Sequence, residues 1–284
     1  MNALVVAVLF AAVLAGCAQK PSAACPSTET CPPVSGNGSP TPTQGPSGGT
    51  SNSPVPPLGR DLKFENCTGL YGAFTGMYDS VRPFVPKDFY IRGQTPDLAD
   101  LGFVATTCKR MVNGTRIVEN ASWFTTFAWV IPKNQSWAPD FNSRYVFDMY
   151  FSDQGWASEL TKWGAKSSKA DFTITEKLPH PSFPLWQIAN GSERYSVDYH
   201  AVGEPGDKNP GGVYHWFGTG PYVRVDEAQH ERLGGDPQVG VLDMEGNSNL
   251  QRAFGAQKAE WLGGPHFDRD AAFVPFNQVF SGGK

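Results

Sequence analysis

After residue 58 the apolar residues fall into short runs, many with a period of two, and the densest group lies between residues 70 and 132. A first run ends in the turn Arg82-Pro83-Phe84-Val85-Pro86, and two longer runs follow, joined through Asn113-Gly114. Asn and Gly tolerate the positive φ angles of a tight hairpin turn, so the spacing predicts paired strands over 99–108 and 116–131. In the second of these, Trp123, Phe127, Trp129 and Ile131 share one face, while Phe124, Ala128 and Val130 share the other. A strand that is apolar on both faces belongs in the middle of a sheet, with core on one side and core or a cavity on the other.

The same reading predicts strands at 66–76 and at 143–151, where Tyr145, Phe147, Met149 and Phe151 alternate with Val146, Asp148 and Tyr150. More follow at 171–176, 184–189, 194–202, 212–217, 222–225 and 239–244. Residues 78–81 read as a turn or a single helical turn stopped by Pro83. Two short helices interrupt the strands. Asp153 caps one that carries Trp156, Leu160 and Trp163 at i, i+4 and i+7 and ends at Gly164. The other covers 250–254, capped by Asn247 or Ser248 and closed by Gly255. Many short strands with few helices make the expected fold mainly β, a single cone-like or closed β-barrel.

The N-terminal residues do not fit this pattern. Residues 4–14 form an apolar run too short to span a bilayer, and it ends in Leu14-Ala15-Gly16-Cys17. That ending resembles the lipobox of prokaryotic lipoproteins, which implies a signal peptide over 1–16, lipidation of Cys17 and a membrane partner through the lipid anchor. An ordinary secretory signal is the other reading, and Met1-Asn2-Ala3 carries no positive charge. Residues 17–58 are then rich in Pro, Ser, Thr and Gly and bury too little apolar surface to offset their ordering entropy, so a disordered tether is expected. It leads to one folded domain over 59–284 and places that domain in the cell envelope, facing away from the cytoplasm. Export also bears on the cysteines. With Cys17 lipidated, Cys25, Cys31, Cys67 and Cys108 remain, and Cys67 with Cys108 either form a disulfide or stay as two small core thiols. A net charge of −4 without a basic run excludes nucleic acid as a natural partner.

Candidate chemistry is sparse. There is no Gly-rich phosphate loop, His-Glu-x-x-His, Gly-x-Ser-x-Gly or Cys-x-x-Cys motif, and no cofactor is expected. The order of pieces resembles the acetoacetate decarboxylase-like superfamily of β-cone proteins. It is carried by Val85-Pro86-Lys87-Asp88-Phe89, by Val118-Glu119-Asn120 at the head of a strand, and by Trp163-Gly164-Ala165-Lys166-Ser167-Ser168-Lys169. In those decarboxylases a lysine forms a Schiff base with a β-keto acid, and an adjacent lysine depresses its pKa. The resemblance therefore makes Lys166 and Lys169 the catalytic candidates and sets Glu119 at a cavity mouth. Here two serines separate the lysines, which would face opposite sides of a strand. Glu119 also reads as the solvated end of the hairpin. Arg82 suits a ligand carboxylate, or an internal acid such as Asp79.

Asp198, His200 and His215 form a weak metal set: a hairpin centred in 205–209 would bring the histidines opposite each other. The alternate face, with Tyr195, Val197, Tyr199, Tyr214 and Trp216, competes for the core and would turn the histidines to water. The leading expectation is a barrel whose cavity, lined by Trp123, Phe127 and Trp129 and served by Arg82, binds a small, partly apolar ligand. Schiff-base lyase chemistry and a non-catalytic interaction module are the alternatives. The address is directly testable: labelled fatty acid should enter the wild type and not Cys17→Ala, and equal labelling of both would remove the lipoprotein assignment.

Overall fold

The computed structural model of the chain describes residues 61–138, 142–176, 184–200, 205–208, 213–229, 232–235 and 238–280. Cys17, Cys25, Cys31 and the tether lie outside them. The order is β1 (Leu62–Met77), α1 (Tyr78–Val81), β2 (Phe89–Ile91), β3 (Leu98–Asn113), β4 (Arg116–Pro132), β5 (Ser143–Phe151), α2 (Gln154–Lys162), β6 (Ser167–Lys169) and β7 (Asp171–Glu176). It continues with β8 (Pro184–Asn190), β9 (Glu193–His200), β10 (Pro205–Lys208), β11 (Val213–Phe217), β12 (Tyr222–Gln229), β13 (Arg232–Gly235), β14 (Gln238–Glu245), α3 (Asn249–Phe254) and β15 (Lys258–Phe280).

The fold is mainly β. Seven strands close a barrel in the order β1-β3-β4-β5-β11-β12-β15, with β15 returning to β1. The other edge of β15 carries β14, β13 and β12 in succession, and β14 leads on through β9 and β8 to β7. This long strand was not expected from the sequence, because Gly263-Gly264-Pro265 and Asp268-Arg269-Asp270 break its alternation. At the closure Gly72 lies opposite Gly263, and a Cβ on either would run into neighbouring atoms, Phe103 in one case and the Tyr71 backbone in the other.

Both faces of β4 are dry, as its composition requires. Trp123 and Phe127 face one core, where Trp123 on β4 meets Phe273 on β15, three strands around the barrel, at a centroid separation of 5.3 Å. A contact that crosses the barrel identifies this as its interior. The helix α2 packs Trp156, Leu160 and Trp163 into the same core. Phe124, Ala128 and Val130 face a second core, outside the barrel wall, where Phe124 meets Tyr195 of β9 at 4.8 Å and Phe103 meets Trp261 at 5.4 Å. The β14-β9-β8-β7 sheet covers that side.

Local signals behave as their chemistry dictates. Asp153 accepts from the Trp156 amide at 3.0 Å to start α2, and Gly164 leaves it at φ 90°. Ser248 caps α3 and Gly255 closes it in the left-handed region. The β3–β4 turn differs by one residue from the expected one: Asn113 pairs with Arg116, so Gly114 and Thr115 form the loop, and Gly114 alone takes positive φ. Asn66 and Asn120, at φ 50° and 52°, reverse the in–out alternation within β1 and β4. Phe64 and Cys67 therefore both face the interior, as do Val118 and Ala121. Cys67 and Cys108 are opposite each other across β1 and β3 and form a disulfide.

Trp123 is fully enclosed whereas Trp129 is half-buried. Trp123→Ala should cost about 3–5 kcal/mol in urea denaturation, the range for emptying a large aromatic site. Trp129→Ala should cost clearly less; equal losses would mean that the barrel end is closed over Trp129.

Candidate functional site

Inside the barrel three charged or ionisable side chains meet. Arg144 enters from β5, His215 from the parallel neighbour β11, and Glu227 from β12. His215 Nε2 lies 2.8 Å from Glu227 Oε2, and Arg144 Nη1 lies 3.8 Å from the same oxygen. The Arg144 guanidinium also covers the Phe127 ring at 4.4 Å and the Trp129 ring at 5.7 Å. All three side chains are nearly devoid of solvent. Burial holds His215 below its ordinary pKa, with Glu227 opposing the shift. The neutral ring then donates from Nε2 to Glu227, which leaves Nδ1 buried with no partner among the described residues.

A second polar cluster sits between the outer face of β5 and the covering sheet. Asp148 is buried on β5, and its Oδ1 receives Lys166 Nζ at 2.7 Å and Asn249 Nδ2 at 3.0 Å. Nearby, Tyr150 donates to Glu193 Oε2 at 2.7 Å, and its hydroxyl lies 3.4 Å from that of Tyr195. Burial raises the Asp148 pKa and Lys166 counters it; burial likewise raises both tyrosines. At neutral pH the tyrosines are therefore hydroxyl donors rather than anions.

On the same outer face, three residues back along β5, a cavity of about 330 Å³ opens between the Pro83–Asp88 turn, Tyr145, Thr219 and Tyr222. Tyr222 donates to Asp88 Oδ2 at 2.6 Å, and Tyr145 donates to the Gly218 carbonyl at 2.8 Å. Desolvation pushes the Tyr145 pKa up to about 12.

The expected site residues do not converge. Trp123 and Phe127 face the barrel interior, where they are packed among Phe64, Phe273 and Arg144. Trp129 stands half-exposed beside them. Arg82 is turned to its own loop rather than to a ligand: it donates to Phe89 O at 3.0 Å, to Pro86 O at 2.6 Å and to Val85 O. Carbonyls of the tight Pro-containing turn take up the guanidinium, Pro86 O while also accepting from the Phe89 amide at 3.1 Å. Glu119 is exposed near the hairpin end, opposite Arg110. Lys166 reaches the Asp148 cluster, while Lys169 is exposed on β6.

The metal set is dispersed. β9 pairs with β14 and β8, and β11 pairs with β12 and β5, so Asp198 lies opposite Val241, His200 opposite Val239, and His215 is buried instead of facing water. The reason is packing: Val197 finds Leu242 and Trp186 as neighbours on a dry face, which the proposed hairpin would not supply. Asp148, Glu193, Arg144 and Glu227 were missed as site residues. Asp148 alone had a signal, a carboxylate in the middle of the apolar run Tyr145-Val146-Phe147-Asp148-Met149-Tyr150-Phe151.

No protein-family model and no curated protein sequence matches the chain. Among solved structures, acetoacetate decarboxylase from Legionella pneumophila is similar with a TM-score of 0.54 at 11% identity, over 81% of this chain and 93% of that one. The enduracididine biosynthesis enzyme MppR, complexed with the condensation product of pyruvate and imidazole 4-carboxaldehyde, is similar with a TM-score of 0.51 at 12% identity, over 84% of this chain and 99% of that one. The barrel is thus of the acetoacetate decarboxylase-like fold. At such identities the likeness concerns the path of the backbone, and the chemistry must be argued from this chain's own side chains.

The His215 site makes a signed pH prediction. Above the ordinary histidine pKa of about 6.5 the ring is neutral in both folded and unfolded chains. Below it the unfolded chain takes up a proton that the folded one resists, so stability falls from there toward the lowered folded value. His215→Gln should flatten the denaturation profile over that interval; an unchanged slope would exclude His215 as its source.

Proposed function

We propose that the protein is a lipid-anchored extracytoplasmic lipoprotein whose barrel domain binds a small, partly apolar ligand. The observation that carries this reading is the cavity of about 330 Å³ beside the Pro83–Asp88 turn. Its volume lies within the ~300–1,000 Å³ typical of small-molecule sites, and apolar groups of Pro83, Phe84, Val85, Pro86 and the two tyrosine rings share its lining with Lys87, Asp88 and Thr219. Pro83 and Pro86 stiffen one wall, and Arg82 ties that turn to the start of β2, so little ordering remains to be done on binding. The solved MppR complex supports the reading in kind, since a protein of similar fold is complexed with a small organic compound.

A second reading, Schiff-base lyase chemistry, is favoured by one observation: Lys166 reaches a buried acid with tyrosines beside it. Its weakness is physical. The Lys166 side chain is 59% exposed and its ammonium is held by the Asp148 carboxylate, whereas attack on a carbonyl needs the free amine.

Two experiments separate the readings. Titration with 2-heptanone, followed by NMR, should move the signals of Phe84, Tyr145 and Thr219 saturably, and Thr219→Trp, which fills the cavity, should abolish the response. A wild type that gives no saturable response up to the ketone's solubility would refute binding at this cavity. Borohydride with acetoacetate should leave no adduct; reductive trapping at Lys166, lost in Lys166→Met, would install the lyase instead.

A further inference from the structure

Asp148 uses only half of its carboxylate. Oδ1 accepts from Lys166 and Asn249, while Oδ2 is buried with no hydrogen-bond partner among the described residues. Directly across the β4–β5 ladder, on the same face, Thr126 is fully buried and its hydroxyl also has no partner. Two adjacent unsatisfied polar side chains in a dry layer are costly and call for an explanation, a bound group being one. The surroundings state what would suit them. Asp148 and Glu193 are two acids against one ammonium, and the rings of Tyr150, Tyr195 and Phe124 stand 4.8 to 6.3 Å from one another beside them. Carboxylates framed by aromatic rings favour a cation with an apolar stem. The protein already supplies one. Lys166 is an alkylammonium that enters from solvent, with its side chain 59% exposed while Asp148 is 2% exposed.

We propose that the Asp148–Thr126 pair is a binding site for small primary alkylammonium compounds, and that Lys166 occupies it as a displaceable internal stand-in. An incoming amine, not tied to the backbone, would displace Nζ and donate to Oδ2 and the Thr126 hydroxyl, which Nζ leaves unanswered, and Lys166 would swing into water. This goes beyond the cavity at the Pro83–Asp88 turn and does not depend on it. It also assigns Lys166 a role opposite to that of a nucleophile: removing the lysine should improve amine binding.

The test uses n-propylammonium chloride with the wild type, Lys166→Ala, Thr126→Val, and Lys166→Ala combined with Asp148→Asn. Lys166→Ala should lower Tm, and the amine should restore at least half of the loss, whereas sodium chloride at equal ionic strength restores none. By NMR the wild type should show a saturable shift at Met149, Ser167 and Asn249, and Lys166→Ala should bind at least tenfold more tightly. Thr126→Val, which keeps the charge and the shape, should weaken binding several-fold, and the Asp148→Asn background should give no rescue. Equal recovery by sodium chloride, rescue that survives Asp148→Asn, or no saturable shift in the wild type would each overturn the proposal.

Discussion

Closure of the barrel depends on the pairing of β15 with β1. Over Leu62 to Ala73 the first strand finds its partners in the last one, about two hundred residues away, while its other edge is taken by β3. The opposite edge of β15 holds β14, β13 and β12 in turn, so a single strand joins the barrel to the sheet that covers it. Contacts this distant in sequence are entropically slow to make, and they are rewarded only when both cores form together. The Cys67–Cys108 disulfide holds β1 to β3 and thereby fixes the far side of the same seam.

Because β4 from Ala121 onward and β5 are dry on nearly all of both faces, the polar groups in and around them must find partners within the protein or bear the cost of burial. Three solutions are visible. Arg144, His215 and Glu227 answer one another inside the barrel. Thr125 on β4 donates to the Asp148 carbonyl on β5. Asp148 is only partly answered, by a lysine from the surface and an asparagine from α3.

The likeness to the decarboxylase and to MppR concerns the backbone. At 11% and 12% identity the backbones remain similar, with TM-scores of 0.54 and 0.51. A barrel needs only alternation, turns and glycines where strands approach closely, and many sequences meet those demands. Schiff-base catalysis needs a particular lysine made reactive by a particular neighbour. Here the lysines are split by two serines, and the one that reaches a buried group meets a carboxylate instead of a second ammonium.

The sequence alone determined the features whose causes are local. Alternation over residues 143–151 made β5, the Asp153 cap with its tryptophan stripe made α2, Gly255 ended α3, and two apolar faces placed β4 in the middle of the sheet. Tertiary structure decided everything that depended on which strands met. It made a strand of 258–280 despite Pro265 and its charges, because β1 and β12 to β14 offered hydrogen bonds on both edges. It parted His200 from His215, turned Arg82 onto its own loop, and set Lys166 against Asp148. Side-chain spacing along one strand reports the faces of that strand; the partner across the ladder, and with it the charge and dryness of any site, is set by residues that may lie anywhere in the chain.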